Sequence, residues 1–149
     1  MPALAQMTAT IKAPWDGQRV PTGQQCRLFG GRGATPPMEV AGIPAGTAWI
    51  VVAFNDRDFA PLSTCGGHGT IGFPARGTKM TLPAVPGMTA QLPGGAVVVA
   101  AARSTGDYAS PRYLPPCSGG RGNRYFAEVS AMDRANKVLA TARVELGRY

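Results

Sequence analysis

Three groups of residues in this chain are of types that do chemistry. Asp56-Arg57-Asp58, followed by the only histidine, His68, offers the oxygen and nitrogen donors that hold a divalent ion, although the spacing matches no particular metal site. Cys117 with His68 and Asp56 offers a nucleophile, a base and an orienting acid, an arrangement defined by geometry rather than by chain order; no G-x-S-x-G elbow accompanies it. The third group is "YLPPCSGGRGNRYF", Tyr113 to Phe126. Its glycines, Gly119 and Gly120 among them, bare backbone N–H groups that form an anion-binding nest when they follow one another in turn conformations. Pro115 and Pro116 remove conformational freedom before any ligand arrives. The hydroxyl of Tyr125 and the amide of Asn123 are donors to a phosphate or carboxylate oxygen. Arg124 is expected to turn inward and neutralise Asp56 or Asp58, which would hold the acidic loop against the glycine loop. A tight crossover loop whose glycines only permit close packing would have the same composition.

The elements that must carry these loops are strands. A chain of 149 residues with 44% hydrophobic residues suits one domain, 1–149, with residues 1–8 as a tail. Twenty glycines and fourteen prolines are interleaved with short apolar runs, which predicts many strands and turns and little helix. "TAWIVVAF", Thr47 to Phe54, and "AVVVAAA", Ala96 to Ala102, read as central strands buried on both faces. "RYFAEVSAM" and "VLATARVEL" alternate, with Val138, Ala140, Ala142, Val144 and Leu146 on one face of the second. A helical stripe through Ala131, Ala135, Leu139, Ala142 and Leu146 fits the same stretch, so periodicity leaves strand and helix both open there.

The formal charge of +7 invites a nucleic-acid reading, but the cations are scattered and no basic run is interleaved with aromatics, so no specific nucleic-acid partner is expected. No apolar stretch reaches the roughly 18 residues of a transmembrane segment. Ala3-Leu4-Ala5 before Gln6 has the small-x-small form of a signal-peptidase site, which would suit a periplasmic or secreted protein; an alanine-rich tail explains it equally. Three cysteines, Cys26, Cys65 and Cys117, allow one disulfide and one free thiol, and their spacing suits no zinc site.

The order of a Thr-Pro-Pro turn at Thr35, the G-x-P-x-G-T turn from Gly42, an apolar strand and the D-x-D loop resembles the phosphatidylethanolamine-binding protein family, in its Raf kinase inhibitor-like bacterial branch. Leu92-Pro93-Gly94-Gly95-Ala96 resembles that family's L-P-x-G-A element, and "PPCSGGRGNRYFAEVSAMD" its glycine-loop block without a gap. The resemblance covers most of Val20 to Tyr149. It implies an all-β Greek-key sandwich of two antiparallel sheets and a cofactor-free, non-enzymatic binding protein. Its pocket would accept a phospholipid headgroup, phosphate or similar small anion, and relatives also make inhibitory contact with kinases or proteases. Carried onto this chain, the pocket would comprise Asp56, Asp58, His68, Pro116, Cys117, Gly119, Gly120, Asn123 and Tyr125, with Arg124 as a structural pair. Cys26 and Cys117 fall where relatives often carry cysteine, so the resemblance pairs them and leaves Cys65 free.

The departures matter too. The family's D-P-D is Asp56-Arg57-Asp58 here, and its H-R-Y is Asn123-Arg124-Tyr125, which replaces a titratable group by an amide. Its W-x-H-W element is reduced to the "GGHG" around His68, and between Asp133 and Val138 there is no room for the helix that many members carry. His68, if it faces the pocket, would attract phosphate when protonated, so affinity should rise as pH falls through about 6.5. A small hydrolase or metal-dependent enzyme using Asp56, Asp58, His68 and Cys117 is the alternative reading.

Overall fold

Alternation and turn chemistry build two antiparallel sheets in the structure, a computed structural model that describes residues 6–88, 92 and 95–149. Ala3-Leu4-Ala5 and the Pro93-Gly94 part of the L-P-x-G-A element lie outside the described residues. The smaller sheet has the order β1 (Thr8–Ile11), β2 (Met38–Ala41), β5 (Lys79–Leu82). The larger has the order β6 (Val97–Ala100), β4 (Thr70–Pro74), β3 (Trp49–Asp56), β7 (Arg124–Met132), β8 (Val138–Arg148). Among the described residues the only helical pieces are 3-10 turns at Arg27–Phe29, Ala60–Leu62 and Gly106–Tyr108, and no helix is long and apolar enough to cross a membrane.

One core joins the sheets: Met38, Val40 and Leu82 from the smaller meet Ile50, Val52, Phe54, Ile71 and Val129 from the larger, all 2% exposed or less. Such close burial of branched side chains is the main favourable term in holding the sheets together. Met7 is also in this core and Thr8 already belongs to β1, so neither of these two is part of the tail expected over 1–8.

β3 is central, as its apolar run predicts, but within that run Ile50, Val52 and Phe54 are deeply buried while Trp49, Val51 and Ala53 are only partly buried on the outer face. The run from Ala96 to Ala102 is not central. Its strand, Val97–Ala100, is the edge of the larger sheet, paired only with β4, and Val97 and Val99 are 42% and 55% exposed. A continuous apolar run does not say how many neighbours a strand has. The helical stripe gives way to a hairpin of β7 and β8 in nearly continuous register from Arg124↔Arg148 to Met132↔Val138. Asp133 makes the turn: its Oδ1 accepts the N–H groups of Ala135 at 2.8 Å and Lys137 at 2.9 Å, and Asn136 takes the left-handed backbone at φ 63°. Asp side chains that bond nearby backbone N–H groups favour turns over helix, and Asn tolerates that conformation best after glycine.

Candidate functional site

The acidic loop leaves the end of β3 directly opposite the start of β7, with Asp56 paired to Tyr125. This register brings the D-x-D loop and the glycine loop together. Asp56 is 4% exposed, and both of its oxygens are engaged: Oδ1 accepts the Asp58 N–H at 2.9 Å and Oδ2 accepts the Asn123 side-chain amide at 2.8 Å. Asp58 turns the other way. Its two oxygens take the Arg124 backbone N–H at 2.7 Å and the guanidinium Nε and Nη2 at 3.1 and 2.7 Å. Arg124 therefore does pair with an aspartate of the acidic loop, but it points outward rather than inward, with side chains 44% and 31% exposed. The guanidinium hydrogen bonds hold the Asp58 carboxyl down to about 2.

His68 is fixed from the other side. The buried Asn55 accepts the N–H groups of Gly66 and Gly67 at 2.9 and 3.2 Å, which folds the loop back under β3. Gly69, with φ 107°, passes so close to Arg112 that a Cβ would stand 2.5 Å from its carbonyl oxygen, so only glycine fits there. His68 Nδ1 lies 2.8 Å from the Leu114 carbonyl, and the Leu114 N–H donates back to the His68 carbonyl at 2.8 Å. That carbonyl requires the proton on Nδ1 and leaves Nε2 as an acceptor. Burial pushes the His68 pKa below its ordinary value, more than the Leu114 carbonyl and the Asp56 charge raise it. Burial thus disfavours the protonated ring that the sequence led one to expect as a pocket cation near 6.5.

Tyr125, 2% exposed, stands edge-on to His68 with ring centroids 5.4 Å apart. Its hydroxyl oxygen accepts the Cys117 N–H at 3.2 Å, and burial followed by the Asp56 charge pushes its pKa up, so it keeps its proton to donate. Cys117 forms a disulfide with Cys26, Cα atoms 5.3 Å apart, and Cys65 is free and exposed, the pairing that the resemblance implies. A disulfide sulfur is not a thiolate, so Cys117 is not the nucleophile of the enzyme alternative. Nor do Asp56, Asp58 and His68 converge: among the described residues no group of three or more His, Cys, Asp or Glu could hold a metal ion.

These groups close around a cavity of about 550 Å³. Of the residues expected from sequence, Asp56, His68, Cys117, Gly119, Asn123 and Tyr125 line it. Asp58 faces Arg124, Pro116 gives its carbonyl to the Cys26 N–H, and Gly120 faces a neighbouring cleft. Among the described residues, the N–H groups of Ser118, Gly119, Gly120 and Arg121 have no protein acceptor.

Sequence reasoning missed the opposite wall. Phe29, Phe59, Tyr108 and Arg103 line the cavity, Phe29 packing so closely on Gly119 that a Cβ there would lie 3.0 Å from its ring. Arg103 spends its guanidinium on the carbonyls of Pro61, Thr64 and Cys65. Arg121 lines the same cavity with no ion-pair partner among the described residues. Only Arg121, inside the glycine loop, had a local signal; the others arrive from distant segments.

No protein-family model matches the chain, and no curated protein does. Two solved structures resemble it over nearly its whole length. One is a putative phosphatidylethanolamine-binding protein homolog, CT736, from Chlamydia trachomatis, 20% identical over 97% of each chain with a TM-score of 0.61. The other is YbcL of Escherichia coli, described as a new member of the mammalian PEBP family, 27% identical over 97% of this chain and 98% of that one with a TM-score of 0.64.

Proposed function

We propose that this chain, which shares its fold with two phosphatidylethanolamine-binding protein homologues, is a binding protein of that family whose cavity takes a small phosphorylated ligand of the headgroup kind. The observation that carries the reading is the unclaimed N–H groups of Ser118, Gly119 and Arg121, residues that line the same cavity as the protonated Tyr125 hydroxyl. Free N–H groups on either side of a positive-φ glycine, here Gly119 at 72°, give a preorganised anion site. Arg121 adds a charge for the anion, and the Asp56 carboxylate, held by Asp58 and Asn123, offers a partner to a cationic amine on the same ligand. Phosphoethanolamine carries both charges.

A titration of the protein with phosphoethanolamine, followed through the amide signals of Ser118 and Gly119, tests this. Saturable shifts support the reading, and Tyr125→Phe should weaken binding roughly two- to tenfold, the range of one neutral hydrogen bond. No shift at those amides up to the solubility of the ligand would refute it.

A further inference from the structure

On the far side of the glycine loop lies a second feature. Three arginines occupy directly paired positions: Arg124 faces Arg148 across β7 and β8, and Arg148 faces Arg19 in a parallel bridge beyond the edge of β8. Paired residues present their side chains on the same side of a sheet, and like charges so placed repel. The register is fixed by backbone: the Val20 N–H donates to the Arg148 carbonyl at 2.9 Å and the Arg148 N–H to the Gln18 carbonyl at 3.1 Å. Gly147 lets the segment cross this closely, since a Cβ there would stand 2.8 Å from the Arg19 nitrogen. The backbones that carry the two arginines are thus held as neighbours by the fold.

Only one of the three charges is answered by an ion pair. Asp58 gives both oxygens to Arg124, while among the described residues neither Arg19 nor Arg148 has a salt bridge. Asp16, the nearest acid in sequence to Arg19, uses its Oδ1 on the backbone N–H groups of Gln18 and Arg19. Arg19 and Arg148 instead line a cleft of about 570 Å³ together with Gln18, Gln25, Gly120 and Gly122.

We propose that this cleft is a second anion site, distinct from the cavity, which takes a phosphate dianion between the guanidinium groups of Arg19 and Arg148. Each guanidinium presents a planar fork of donors to a pair of oxygens, and phosphate has oxygens enough for two forks where a chloride or a single carboxylate does not. A dianion also matches two arginines that have no ion pair among the described residues. Gly120 lines this cleft while Ser118 and Gly119 line the cavity, so the two sites share the glycine loop as a wall.

Phosphate should be titrated into the protein at constant ionic strength, made up with chloride, while the arginine Nε–H signals and the amides of Val20, Gly120 and Gly122 are followed by NMR. Saturable shifts at these groups are expected. Arg19→Gln and Arg148→Gln should each weaken the response roughly tenfold, the worth of one charged hydrogen-bonding group, and neither should lower the melting temperature in chloride alone, because each relieves a repulsion. Tyr125→Phe, which alters the cavity, should leave these shifts unchanged, so failure of either site is read separately. A phosphoserine arm identifies the source: response to both compounds assigns an esterified phosphate, and response to inorganic phosphate alone assigns the free ion. Equal shifts from chloride alone, or unchanged phosphate affinity in Arg148→Gln, would overturn the proposal.

Discussion

The side-chain amide of Asn123 donates to Asp56 Oδ2 at 2.8 Å. An amide satisfies the carboxylate without bringing a titratable proton of its own. Removing the amide leaves a nearly buried carboxylate oxygen short of a donor. Asn123→Ala should therefore destabilise the fold by about 1 to 3 kcal/mol in urea denaturation. A loss within roughly 0.5 kcal/mol, the range of an ordinary surface change, would mean that water replaces the amide at no cost.

His68 makes stability depend on pH in a defined direction. Its folded pKa lies below its ordinary value of 6.5 because the ring is buried, so below that pH the unfolded chain takes up a proton that the folded one refuses. The contribution of His68 is fully present above 6.5 and is lost as pH falls toward the depressed folded value. Denaturation midpoints measured from pH 7.5 to 5 should decline in the wild type and decline less in His68→Gln. Parallel curves for the two proteins would show that the ring protonates freely when folded.

Asp58 behaves oppositely and at the surface. Its carboxyl, held near 2 by Arg124, contributes stability above its ordinary value of 3.8 that is lost as pH falls through the folded value. Carbon-detected titration should place the Asp58 midpoint near 2 in the wild type and move it upward in Arg124→Met. Because the pair is exposed, the stability change at neutral pH should be small and further reduced by salt. A severe loss of fold in Arg124→Met would contradict the outward orientation.

The disulfide closes a segment of sequence separation 91, from the turn that carries Phe29 to the glycine loop. Replacing both Cys26 and Cys117 by Ser should cost about 2 to 5 kcal/mol, chiefly by freeing the unfolded chain. The oxidised native protein should show a single reactive thiol, Cys65, in a thiol assay and peptide map. Detection of Cys65 in a bridge would contradict the pairing.

Much of the framework could be read from the chain alone. Alternation fits β7 and β8 and the apolar run marks β3, because side-chain period is a local property of sequence. Even the helix-strand ambiguity after Ser130 is resolved by a local feature, the Asp133 side chain that caps its own turn. What sequence could not decide is who stands beside whom. The place of Val97–Ala100 at the sheet edge, the outward turn of Asp58 and the inward one of Asp56, the burial of His68 against Leu114, the wall built by Phe29 and Arg103, and the row Arg124, Arg148, Arg19 all depend on contacts between segments far apart in the chain. Burial, charge and hydrogen-bond supply at a residue are set by those neighbours, and only the closed tertiary structure brings them together.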